Sequence, residues 1–213
     1  MESIERAIVC DDQPISGATL FHEGRYLTSF VTPDNLEVQR KYKELTDNLS
    51  VKDKVAACWG YVARQIKYRQ FITTRISVDG RTFIEKDAWL DPAQVIHAGV
   101  ANCFNKSILL ASLLRQELSP ERVYVILGNV NSDGHAWVLA RLDRDYILET
   151  TSPHLSCPFI LADSADIYDP VIFFQDKGVK YFPQKKIHEP FSDCFCIDWL
   201  EDYLDQKSCD AYI

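Results

Sequence analysis

Gly99-Val-Ala-Asn-Cys103-Phe-Asn-Lys-Ser-Ile-Leu-Leu-Ala-Ser-Leu-Leu-Arg-Gln-Glu-Leu-Ser-Pro120 is the stretch on which the fold turns. Gly99 supplies flexibility and Asn102 is a preferred N-cap. From Cys103 onward, Ile108, Leu109, Ala111, Leu113, Leu114 and Leu118 are dense enough for a buried helix. Ser119-Pro120 closes it, because the residue before proline disfavours helix. Cys103 therefore falls in the first turn of a core helix. The partial positive end of the helix dipole and unpaired backbone N–H groups there favour the thiolate. A thiol beside a helix is more often inert packing than a nucleophile, so the chemistry depends on what the rest of the chain brings to it.

The surrounding composition is that of an ordinary globular protein. The 213 residues suit a single domain, with 46% hydrophobic and 25% charged residues. A formal net charge of −8 and no Lys/Arg run argue against a nucleic-acid partner, which needs a basic face. The N-terminus has no signal pattern and no apolar run is long enough to span a bilayer, so no membrane partner and a cytoplasmic location are expected. Seven cysteines, an odd number without a regular framework, suggest mostly free thiols.

Taken in order, Gly17 to Val31 around His22-Glu23-Gly24 suggests a small hairpin, and Thr32-Pro33-Asp34 a polar surface helix to about Leu45. Residues 1–49 thus form an N-terminal hairpin and helix. Ser50-Val51-Lys52-Asp53 starts a core helix with Val55, Cys58, Trp59, Val62, Ala63 and Ile66 at helical spacing. Tyr68 to Ile84 predicts two strands around Asp79-Gly80. Asp91-Pro92 begins a short helix that ends near Ala98-Gly99. Three strands follow, Arg122 to Gly128, His135 to Leu142 and Tyr146 to Thr150, the last two joined at Asp143-Arg144-Asp145. Val171 to Phe174 and Val179 to Phe182 add two more. Ile197 to Asp205 reads as a docking helix, which completes a C-terminal region of residues 156–213. Helices first and antiparallel strands after indicate an α+β fold.

His135 stands at the start of a strand, 32 residues after Cys103, and Glu149 on the next one. A thiol at a helix start, a histidine and a carboxylate are the parts of a cysteine-nucleophile site. The histidine takes and returns the thiol proton; the carboxylate fixes its tautomer. Glu149 shares a sheet face with His135 if paired residue numbers sum to an even value. A turn centred on Arg144 sets Glu149 opposite Leu139, roughly 13 Å from His135 at ~3.3 Å per residue. A turn centred one residue earlier, or a bulge, halves that offset and brings the two within diagonal reach.

These residues resemble the transglutaminase-like core, part of the papain-like cysteine enzyme group. The resemblance rests on Leu90-Asp91-Pro92 leading to Gly99, Asn102-Cys103 with Lys106 to Arg115, Gly134-His135-Ala136-Trp137-Val138, and Ile147-Leu148-Glu149-Thr150. It spans about residues 50 to 155. It implies Cys103 as nucleophile, His135 as general acid/base, and Glu149 where the family usually has aspartate. Family members often place Gly-Asp before the cysteine and an acidic residue soon after, whereas this chain has Ala101-Asn102 and Phe104-Asn105. The oxyanion hole would use the Cys103 N–H and one side-chain donor. Gln65, Trp59, Trp89 and Gln94 are chemically able, and Gln94 or Trp89 is favoured because they lie just before the cysteine loop.

Cys194-Phe195-Cys196 with His188 lacks the spacing and second ligand pair of a zinc site, and no glycine loop cradles a phosphate, so no cofactor or metal is expected. The resemblance therefore implies a cysteine peptidase or amidase acting on a peptide, protein or small amide through a Cys103 thioester. The alternatives are a transglutaminase, which passes the acyl group to an amine, and an inactive binding module of the same fold. A glycopeptide amidase is disfavoured because paired CxxC motifs are missing.

Overall fold

Helix starts in this chain are written by side chains that take up unpaired amides, and strand order by a run of β-branched and aromatic residues after Pro120. The computed structural model describes residues 5–9, 27–70, 72–78, 81–86, 88–131 and 133–181. In chain order these give strand β1 (Glu5–Val9), a 3-10 turn at Leu27–Phe30, helix α1 (Leu36–Thr46), helix α2 (Val51–Gly60) continued by a π-helical turn at Tyr61–Gln65, and strands β2 (Lys67–Tyr68), β3 (Thr73–Val78) and β4 (Arg81–Lys86). Helix α3 (Pro92–Ala98), strand β5 (Val100–Ala101) and helix α4 (Cys103–Leu114) follow. The chain continues with β6 (Val123–Val130), β7 (Asp133–Arg141), β8 (Asp145–Leu148), β9 (Ile160–Leu161), β10 (Tyr168–Gln175) and β11 (Gly178–Tyr181).

The α+β class holds, with helices packed on an antiparallel sheet. A six-stranded sheet in the order β11-β10-β6-β7-β8-β9 is antiparallel throughout. A three-stranded antiparallel sheet of β1, β3 and β4 and a parallel β2–β5 pair stand apart from it. Helix α4 packs on β6 and β7, and every one of its residues is buried.

Several elements differ from the sequence expectation, for physical reasons. Leu27–Phe30, the described part of the expected N-terminal hairpin, is a 3-10 turn with Leu27 and Phe30 buried. α1 starts later than Thr32-Pro33-Asp34, because the Asn35 carboxamide oxygen accepts from the amides of Glu37 and Val38 and is the stronger start signal. α4 ends at Leu114, ahead of Ser119-Pro120. The Arg115 guanidinium grips Asp176, Nε to Oδ1 at 2.7 Å and Nη2 to Oδ2 at 3.2 Å, and its Nη1 donates to the Leu118 carbonyl, which turns the chain off the helix axis. The pairings of β1 with β3 and of β8 with β9 carried no sequence signal. The Asp79-Gly80 turn, the docking helix over 197–205 and the Cys194–Cys196 segment lie outside the described residues.

Two glycines have jobs only glycine does well. Gly99 ends α3 in the left-handed region, at φ 65°, and its N–H returns to the Val95 carbonyl. Gly128 on β6 pairs with His135 on one side and with Pro170 of β10 on the other, next to a register shift in β10. A Cβ there would lie 2.7 Å from the Trp137 ring and 2.9 Å from the Pro170 Cα, and nearer still to the Asp169 carbonyl oxygen. Because backbone hems the position on one side, Gly128→Ala is expected to destabilise by about 1–3 kcal/mol. At roughly 2–4 °C per kcal/mol for a chain of this size, a thermal melt reads it directly, and an unchanged Tm would contradict the packing described.

Candidate active site

The register of one hairpin settles where Glu149 lies. Arg141 pairs with Asp145, Ala140 with Tyr146, Leu139 with Ile147 and Val138 with Leu148, so the turn is centred on Asp143. Continued one step, this puts Glu149 across from Trp137 and on the diagonal to His135. The two side chains meet: His135 Nε2 lies 2.8 Å from Glu149 Oε2, with the His135 side chain 1% and the Glu149 side chain 0% exposed.

A buried carboxylate is costly unless its lone pairs are filled. Those of Glu149 are. Oε2 accepts from His135 and, at 3.0 Å, from the Tyr168 hydroxyl. Oε1 accepts from the Thr151 amide at 2.8 Å and its hydroxyl at 2.6 Å. The Glu149 backbone is held too, since Trp59 Nε1 donates to its carbonyl at 2.5 Å. The loop beyond is clasped by Arg64, which donates to the Pro153 and Leu155 carbonyls. Burial pushes the Glu149 carboxyl up, but the His135 charge and the hydrogen bonds from His135 and Thr151 outweigh it and hold the group down at about 2. With Nε2–H donated to the carboxylate, Nδ1 is the ring nitrogen that can accept a proton. Trp137 stacks on the ring at a centroid distance of 6.2 Å, which fixes its plane.

Cys103 is the first residue of α4, behind the Asn102 cap, whose Oδ1 accepts from the Asn105 amide at 3.1 Å. Cys103 and Ser107 share a helix face four residues apart. Ser107 Oγ lies 3.4 Å from Thr150 Oγ1, so that face looks at the end of β8 where Glu149 sits. The first turn is fixed from its other sides. Asn105, fully buried, accepts from the Leu90 amide at 2.8 Å and donates to the Ala88 carbonyl at 3.0 Å. Lys106 Nζ donates to the Ala63 carbonyl at 3.1 Å, capping the π-helical turn. Asn105 explains one departure from the family pattern: its place needs a donor and an acceptor together, which no ionised carboxylate supplies.

The cysteines are not alike. Cys58 and Cys157 are buried free thiols, whereas Cys103 is disulfide-bonded, with its partner outside the described residues. The expectation of mostly free thiols therefore fails at this position.

The remaining candidates have visible occupations. Gln94 completes a capping box with Asp91, its Oε1 accepting from the Asp91 amide at 2.9 Å. Trp89 is half-buried and stacks on Phe104, beside Cys103, at 5.6 Å. Trp59 spends its N–H on Glu149, and Gln65 is exposed. Tyr168 and Thr151 escaped the sequence reading. Thr151 had a signal in its adjacency to Glu149, but Tyr168 arrives from a strand whose register no motif announced. Among the described residues no group of three His, Cys, Asp or Glu side chains could hold a metal ion, and no helix is long and apolar enough to cross a membrane.

Because Glu149 is held below its unfolded value of ~4.3, it contributes stability that is full above that pH and is lost as pH falls toward 2. Linkage sets the size on the order of 3 kcal/mol. Melts of wild type and Glu149→Gln between about pH 5 and pH 2.5 are expected to converge as the wild type loses this advantage. Parallel curves would show that Glu149 is not held low.

No protein-family model matches the sequence, and neither does any curated protein sequence. Solved structures do. Legionella pneumophila LapG aligns at a TM-score of 0.50 and 15% identity, covering 72% of this chain and 84% of LapG. Calcium-bound LapG aligns at 0.51 and 15%, covering 78% and 89%, and EGTA-treated LapG at 0.52 and 13%, covering 86% and 94%. At such identities the likeness is one of fold.

Proposed function

We propose that this chain is a cysteine hydrolase of transglutaminase-like type, a peptidase or amidase. The observation that carries the reading is the buried His135–Glu149 pair, 2.8 Å apart, at the strand end toward which the Cys103 face of α4 looks. Its fold likeness to LapG supports it.

In this reading His135 Nδ1 takes the Cys103 proton and the thiolate adds to the amide carbonyl carbon of a peptide, protein or small amide. The oxyanion meets the N–H of Cys103, the first residue of α4. Gln94 or Trp89 is proposed as the side-chain donor. The imidazolium returns its proton to the leaving nitrogen as the C–N bond breaks, which leaves a thioester on Sγ. Water then adds with His135 as base, and the acid departs as Sγ is released. Glu149 stays ionised throughout and holds the ring tautomer. The working form is the reduced one, since a sulfur in a disulfide cannot attack, and the cytoplasm, where we place the chain, keeps thiols reduced.

Alkylation of the reduced protein by iodoacetamide, followed against pH, tests the pairing. Cys103 is expected to react well below pH 8, and His135→Ala to slow the reaction at pH 7 by about 10²-fold or more. If Cys103 reacts only above about pH 8, or if His135→Ala leaves its rate alone, the proposal fails. Peptide and amide substrates offered with and without a primary amine then read the acceptor: free acid in both cases supports hydrolysis, and an amine adduct would replace it by transfer.

A further inference from the structure

Tyr168 and Glu149 meet across an unusual span. Tyr168 stands on β10 and Glu149 directly after β8, and β6 and β7 lie between those two strands. At ~4.8 Å between neighbouring strands, the two backbones stand about 14 Å apart, further than one side chain reaches. The tyrosine and the glutamate close the gap together, hydroxyl to Oε2 at 3.0 Å. An aspartate at 149 would be shorter by one methylene, about 1.5 Å, and would draw the carboxylate out of reach.

The crossing is prepared by its neighbours. The Tyr168 ring packs edge-on against Trp137 at 4.9 Å and 72°, and Trp137 in turn stacks on His135. Gly128, opposite His135 on the strand between, adds no side chain to block the route. Tyr168 is itself only 8% exposed, so its hydroxyl meets the carboxylate with little competition from water.

We propose that Tyr168 is a positioning residue of the site, holding the longer Glu149 carboxylate in the one rotamer from which it can orient His135. Glutamate carries one more rotatable bond than aspartate, and Thr151 fixes only Oε1. The Tyr168 hydroxyl fixes the other oxygen, the one His135 uses. This inference rests on the catalytic reading above only for its effect on Cys103; the hold on the His135–Glu149 pair is a separate, observable property.

The test compares wild type, Tyr168→Phe, Glu149→Asp and the double variant as reduced full-length protein. Proton NMR reads the hydrogen-bonded His135 Nε2–H, and iodoacetamide reads Cys103. Tyr168→Phe is expected to broaden or abolish the ring N–H signal and to slow alkylation at pH 7 by about 10-fold, the size of one hydrogen bond to a charged group. Glu149→Asp is expected to do the same, and Tyr168→Phe to add little in that background, because the contact is already lost. A sharp N–H signal in Tyr168→Phe, or fully additive effects in the double variant, would overturn the proposal and leave Tyr168 as packing. Should Tyr168→Phe fail to fold, Glu149→Asp decides, and a signal left sharp there overturns the proposal equally. If wild-type Cys103 alkylates as an ordinary thiol, the hydrolase reading falls while the NMR arm still judges Tyr168.

Discussion

The buried pair of His135 and Glu149 is the constraint on which the rest of the structure depends. A carboxylate removed from water costs several kcal/mol unless its charge is matched and its lone pairs filled. Filling them draws on four places in the chain: His135 on β7, Thr151 beyond β8, Tyr168 on β10 and, for the backbone, Trp59 in α2. The six-stranded sheet is the device that brings three of these together, and its order is what a topology must satisfy to bury Glu149. Each carboxylate oxygen accepts twice, so loss of one donor leaves a buried lone pair unfilled beside a bond that remains.

Helix α4 answers the same problem at its own end. A helix buried over its whole length has nowhere to leave polar side chains, yet its first turns carry Asn102, Asn105, Lys106 and Ser107, all buried. Asn102 caps the helix itself at the Asn105 amide, and the other three tie Cys103's neighbourhood to other parts of the chain: Asn105 to the Ala88 and Leu90 backbone, Lys106 to the π-helical turn, Ser107 to Thr150. The remainder, from Ile108 onward, is apolar except for Ser112, whose hydroxyl donates back to the Ile108 carbonyl, and the helix packs on β6 and β7. One end of the helix is thus a bonded frame for the cysteine and the other is core.

Much of this was readable in advance, and the exceptions have a common cause. The Asn102 cap, the α3 helix from Asp91 to its left-handed Gly99 and the Ser50 start follow from local chemistry, where a side chain meets an amide two or three residues away. The His135–Glu149 contact was conditional, because period-two alternation fixes the face but not the register. The Asp143-centred turn supplies the missing datum. Tyr168, Arg115–Asp176 and the Trp59 bond to the Glu149 carbonyl join residues 19, 61 and 90 positions apart, and no local rule couples such positions. Thr32-Pro33-Asp34 misled for the opposite reason: two start signals compete within four residues, and Asn35 wins by satisfying two amides at once.

The contrast between two buried cysteines shows why position rather than burial marks a candidate nucleophile. Cys58 sits inside α2, fully buried, and burial pushes its thiol up to about 12, so it stays protonated and inert. Cys103 is equally buried, but it stands at the first position of its helix, where the amides have no carbonyls of their own turn to meet. Desolvation acts against a thiolate at both places; only at Cys103 does the start of a helix act for it. A thiolate is the form of sulfur that exchanges, and a helix terminus, unlike a helix interior, offers it unpaired amides and the positive end of a dipole.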